Sequence, residues 1–160
     1  MNMIRTVQSI AVALAFGGSA VLAAEYESDD AQATYEEIEQ TLGLVPSFLE
    51  AYPDAGIYGA WEMMKSVQMN PDSALSPKEK ELIALAVASQ IPCDYCVYFH
   101  VQAAEANGAT EEEIAETLAM AAAIRHWSTI LNGSQTDLDE FKSETDAIMN
   151  HLAEQGEGGD

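Results

Sequence analysis

Two capping boxes constrain this chain more than any other feature. Ser76-Pro77-Lys78-Glu79 and Thr110-Glu111-Glu112-Glu113 each set a hydroxyl three residues ahead of a glutamate. In that arrangement, side chains and backbone N–H groups at a helix start satisfy one another. Pro77 suits the first helical position, because its missing N–H would have no partner there anyway. The stretch after the first box, "ELIALAVASQ", is apolar on almost every side, so the helix over 77–90 is expected to be buried. Ile91-Pro92 ends it. The next helix is predicted from near Cys93 to about Asn107, with Gly108 as its terminal glycine. The second box opens a long alanine-rich helix, "EEEIAETLAMAAAIRHWSTIL", which Asn132-Gly133 ends.

The rest of the chain continues the helical pattern. "DDAQATYEEIEQTLG" spaces Tyr35, Ile38 and Leu42 along one side and stops at Gly43. "LVPSFLEAYPD" reads as a break. "AGIYGAWEMMKSVQMN" aligns Ile57, Trp61, Met64 and Val67 before Asn70-Pro71. A last amphipathic helix is predicted over Asp137 to Ala153, with Leu138, Phe141, Ile148 and Leu152 as its apolar side. No strand and no repeat of fixed period is legible. The expectation is an all-α fold of about six helices, and 160 residues suffice for one core.

The first 23 residues stand outside that fold. Arg5, an apolar run from about Val7 to Phe16, the Gly17-Gly18-Ser19 break and Val21-Leu22-Ala23 read as a cleavable secretory signal peptide, cut near Ala23. The domain is then expected over residues 24–154, followed by a disordered acidic tail at 155–160. Export, to the periplasm on this reading, implies an oxidising compartment in which a close cysteine pair tends to become a disulfide. The formal charge of −21 argues against nucleic acid or anionic membrane surfaces as partners. No membrane association is expected once the leader is removed.

The only two cysteines lie in "IPCDYCVYFH", at Cys93 and Cys96, with His100 following. Along a helix, Cys96 to His100 turns about 40° past one full turn, and Cys93 to His100 falls about 20° short of two. The three side chains are therefore expected on one face. A thiol in the first turn of a helix sits against unpaired N–H groups, which favour the thiolate. By that argument Cys93 is the more acidic of the pair. Glu81, near the start of the preceding helix, is placed to orient His100 if the two helices pack. It is equally an ordinary first-turn acid favoured by the helix dipole.

"ELIALAVASQIPCDYCVYFHVQAAEANGATEEEIAETL" resembles the carboxymuconolactone decarboxylase superfamily, and within it the alkylhydroperoxidase D-like branch. The shared pattern is a glutamate, eleven residues, Cys-x-x-Cys, three residues and a histidine. Glu81, Cys93, Cys96 and His100 match it position by position, and the resemblance covers a core of roughly 40–133. It implies an all-α domain that assembles into homotrimers or dimers of trimers. It also implies a thiol peroxidase that reduces hydrogen peroxide or organic hydroperoxides. By resemblance, Cys96 attacks the peroxide, Cys93 resolves, the Cys93–Cys96 pair cycles between dithiol and disulfide, and His100 with Glu81 relays protons. An external dithiol is the implied reductant, and no cofactor or metal is implied. Tyr95 stands where some members carry a histidine, which alters that relay, since a phenol is a poor base at neutral pH.

Other readings stay open on the residues alone. A structural disulfide closing so small a loop gains little entropy. Zinc would find Cys93, Cys96 and His100, with Glu81 or His126 as a fourth ligand. A thiol–disulfide or binding protein of the same fold, and a decarboxylase-like enzyme, are further alternatives. His126, in the unusual Arg125-His126-Trp127 run, is read as a satisfied interhelical histidine or as an accessory group reaching the pocket. Trp61 and Trp127 read as packing anchors, and the methionines at 63, 64, 69, 120 and 149 as core or interface filler.

Overall fold

The computed structural model describes residues 28–157, and every regular element among them is helical. Among the described residues seven α-helices are present, against about six expected. The expected signal peptide lies outside the described residues. The chain divides into two compact units, one running to Met63 and one beginning at Met64.

The first unit contains α1 (Ser28–Leu42), α2 (Ser47–Glu50) and α3 (Asp54–Met63). Helices α1 and α3 pack together, and Ile38, Ile57 and Trp61 are fully buried. Burial of a large apolar side chain contributes about 1.5–3 kcal/mol, so these three anchor the unit. Gly43 closes α1 with φ +82°, a left-handed conformation that residues carrying a Cβ rarely adopt. The stretch read as a break holds the short α2, which begins after Pro46.

The second unit opens with a π-helical segment, Met64–Gln68, in which the Met69 N–H reaches the Met64 carbonyl five residues back. The sequence reads this stretch as the continuation of one regular helix, since a π turn carries no distinct apolar period. Then come α4 (Pro77–Gln90), α5 (Asp94–Ala106), α6 (Glu111–Gly133) and α7 (Leu138–Glu157). Both capping boxes form. The Glu79 N–H donates to Ser76 Oγ, and the Ser76 N–H donates to Glu79 Oε2 at 2.7 Å. The Glu113 N–H donates to Thr110 Oγ1 at 3.1 Å, and the Thr110 N–H donates to Glu113 Oε2 at 2.8 Å. Each cap is worth about 0.5–2 kcal/mol to its helix. Lys78 Nζ then joins Glu113 Oε1 at 2.6 Å, tying the start of α4 to the start of α6.

Helix α4 packs on both α5 and α6. Leu85 and Ala88 on α4 and Ala104 on α5 are buried, and the alanines permit close approach of the backbones. Burial of α4 is only partial, against the sequence expectation. Ile83 and Val87 are exposed in the single chain, because α5 and α6 cover only part of a helix that is apolar nearly all round. Trp127 is 58% exposed rather than an anchor, and Met63, Met69, Met120 and Met149 lie at the surface rather than in the core. Gly108 ends α5 with φ +83° as expected, but the turn after α6 places its left-handed residue at Gln135, not Gly133. Helix α7 runs four residues past Ala153, so residues 155–157 of the expected disordered tail are helical.

Candidate functional site

The site is built at the junction of α4 and α5. The Ile91 N–H reaches the Val87 carbonyl as α4 ends, Pro92 intervenes, and Cys93 becomes the N-cap of α5 with φ −113° and ψ 92°. Helical residues begin at Asp94, in keeping with the start expected near Cys93. A side chain can receive an N–H from the first turn only from an extended cap position. Cys93 does this with sulfur: the Cys96 N–H donates to Cys93 Sγ at 3.2 Å. Cys93 thereby occupies the place that serine or threonine takes in an ordinary cap.

The two cysteines are joined in a disulfide, with Cα atoms 5.3 Å apart, and both are half-buried. One turn beyond Cys96, His100 Nδ1 lies 2.7 Å from Glu81 Oε2 on α4. The pair is largely enclosed, with side chains 18% and 15% exposed for His100 and Glu81. With Glu81 ionised and the imidazole neutral, Nδ1 donates to the carboxylate, which can only accept, and Nε2 carries the lone pair. A histidine held in this tautomer can take a proton at Nε2 from a neighbouring thiol and return it. The ring of Phe99 meets that of His100 edge to face, with centroids 5.2 Å apart. The sequence reading did not single out Phe99; its position directly before the histidine was the available signal.

Of the sequence-predicted residues, Glu81 and His100 therefore meet across α4 and α5, and Cys93 and Cys96 are joined one turn before His100 on α5. The other two stand apart from this arrangement. Tyr95 is 90% exposed, its phenol in solvent between the two cysteines. His126 is exposed on α6, with its ring edge to face against Trp127 at 5.0 Å, and is not the enclosed interhelical histidine that the sequence favours. An open groove of about 440 Å³ runs between α4 and α6. Val87, Ile91, Met120, Ile124 and Arg125 are among its lining residues, and neither cysteine nor His100 is.

The pattern of the carboxymuconolactone decarboxylase family matches residues 55–135. In structure, the chain is similar to the alkylhydroperoxidase AhpD core from Rhodospirillum rubrum, with a TM-score of 0.61 and 30% identity, covering 70% of this chain and 85% of that one. Among curated proteins it is 44% identical over 54 residues to an uncharacterised protein of the cox locus of Paracoccus denitrificans, which is 34% of this chain and 49% of that protein. It is 49% identical over 49 residues to an uncharacterised protein of Cupriavidus necator, covering 31% of this chain and 43% of that protein. The chain spans about half the length of the curated relatives it matches. On a family match over half its length and a shared helical architecture, the chain belongs to the carboxymuconolactone decarboxylase family, with an alkylhydroperoxidase D-like fold.

Proposed function

We propose that the protein is a thiol-dependent peroxidase whose Cys93–Cys96 pair alternates between dithiol and disulfide. The observation that carries this reading is the 2.7 Å bond between Glu81 and His100, one turn from the disulfide. A purely structural staple would have no use for an oriented, enclosed imidazole beside it.

In the proposed cycle the Cys96 thiolate attacks the terminal oxygen of a hydroperoxide. The O–O bond breaks, the sulfur becomes a sulfenic acid, and the departing alkoxide takes a proton from His100. Cys93 then attacks the sulfenic sulfur and hydroxide leaves as water. The resulting disulfide is reduced by an external dithiol, which is itself oxidised to a disulfide. Glu81 does not touch the peroxide; it holds the imidazole in the tautomer and position this chemistry requires.

The test is peroxide consumption by the purified protein with a panel of dithiol reductants. Turnover that depends on both peroxide and dithiol supports the reading. Consumption no faster than that of free cysteine removes it and leaves the decarboxylase-like alternative of the family to be assayed. The subunit is expected to work as a homotrimer or dimer of trimers, and in an exported, periplasmic setting, as the resemblance and the leader-like residues 1–23 suggest.

A further inference from the structure

The helix start treats the two sulfurs differently. Cys93 is the N-cap of a 13-residue helix, and its Sγ receives the Cys96 N–H at 3.2 Å. That bond runs in one direction only. It would stabilise a thiolate at Cys93, aided by the positive end of α5. Cys96 is the third helical residue of α5; its own N–H is committed to Cys93, and no hydrogen bond to its sulfur is formed among the described residues. Asp94 opposes a Cys93 thiolate, but its carboxylate is exposed and screened by solvent. In thiol–disulfide exchange, the sulfur with the better-stabilised thiolate is the faster leaving group.

We propose that the external reductant attacks Cys96 Sγ and that Cys93 is the thiolate that leaves when the disulfide opens, so that the sulfur that meets the peroxide also carries the reductant adduct. This rests on the reading of the disulfide as cycled. On opening, a reductant thiolate forms a bond to Cys96 Sγ, the Cys93–Cys96 bond breaks, and the electron pair goes to Cys93 Sγ. The second thiol of the reductant, deprotonated, attacks the reductant sulfur of this mixed disulfide. The reductant leaves as its own disulfide, and Cys96 departs as a thiolate beside His100. On closing, Cys93 thiolate attacks Cys96 sulfenic acid and hydroxide leaves. The cap therefore acidifies the thiol that must act as nucleophile within the pair. This removes the conflict between the dipole argument, which favours Cys93 as the acidic thiol, and the resemblance, which makes Cys96 the peroxide-attacking one.

The experiment uses the oxidised full-length protein, glutathione as a monothiol probe, and a rapid quench with iodoacetamide. Chymotryptic cleavage after Tyr95 separates the two cysteines for mass spectrometry. The expected result is glutathione on Cys96 and the alkyl group on Cys93, in at least about a tenfold excess over the reverse. Glutathione mainly on Cys93 overturns the proposal and leaves the disulfide cycle standing. A second measurement is the pH dependence of alkylation in the single variants. Cys93 in Cys96→Ser should react at a lower pH than Cys96 in Cys93→Ser, and the opposite order overturns the assignment. Protein purified under oxidising conditions with both thiols free, and no disulfide to open, would instead sink the redox reading on which the proposal rests.

Discussion

Glu81 Oε2 lies 2.7 Å from His100 Nδ1, linking α4 to α5 one turn beyond the Cys93–Cys96 disulfide. If the carboxylate acts only through the imidazole, the two residues behave as one unit. Glu81→Ala and His100→Ala are each expected to slow peroxide turnover by about 10²–10⁴, the scale of a lost acid–base group. The double variant is expected to be no slower than the worse single one. Steady-state kinetics of the three proteins checks this. Multiplicative losses would mean the two side chains act separately.

The cysteines are expected to differ in kind. Cys96→Ser should abolish turnover, because it removes the sulfur that meets the peroxide. Cys93→Ser should react once and stop, leaving a sulfenic acid that dimedone traps and mass spectrometry detects. A trappable sulfenate in Cys96→Ser and none in Cys93→Ser would reverse the two roles.

The join between α4 and α6 gives an acid-sensitivity prediction. The Lys78 ammonium, first, and the Thr110 backbone N–H, second, hold the Glu113 carboxyl below the ordinary value of 4.5. The Ser76 hydroxyl, then the Ser76 backbone N–H, do the same for Glu79. A carboxyl whose folded value is depressed stabilises the fold fully above its unfolded value, and that contribution is lost as pH falls toward the folded one. Both contributions are therefore full above about pH 4.5 and are lost progressively below it. Lys78→Met should lower the melting temperature most near neutral pH, and the difference from the wild type should shrink as pH falls below about 4.5. Thermal melts by circular dichroism from pH 7 to pH 3 measure it; a difference that does not shrink toward pH 3 would remove the Lys78–Glu113 pair from the account.

The caps and the helix ends at Gly43 and Gly108 were legible because each depends on a few neighbouring residues and a fixed spacing, whereas the Glu81–His100 pairing joins two helices and was implied only by the resemblance. The fate of apolar side chains was less so. Composition shows that α4 is apolar on nearly all sides, but not how many neighbours one chain supplies to cover it. Val87 and Trp127 are exposed for that reason. The π turn at Met64–Gln68 and the exposure of Tyr95 were unreadable too, since neither leaves a periodic mark in the sequence. The resemblance supplied the roles of Cys93 and Cys96, and the N-cap geometry supplied a chemical difference between them that spacing alone could only suggest.

Exposed apolar surface on α4 and α6 leads to the last prediction. Ile83 and Val87 on α4, with Met120, Ile124 and Trp127 on α6, remain open to solvent in a single chain. A soluble protein rarely leaves so much contiguous apolar surface uncovered, and copies of the same chain commonly cover it. The strong acidity works the other way, since like-charged subunits repel, so assembly should strengthen as salt screens them. A homotrimer or dimer of trimers is expected by light scattering at moderate ionic strength. Val87→Asp combined with Ile124→Asp places two carboxylates on that face without touching Leu85, Ala88 or Ala104 in the core. The double variant is expected to run as a monomer while keeping its helical circular dichroism spectrum. A wild-type protein that scatters as a single 17.2 kDa chain, or less after leader removal, across the salt range would show that this face serves something other than self-assembly.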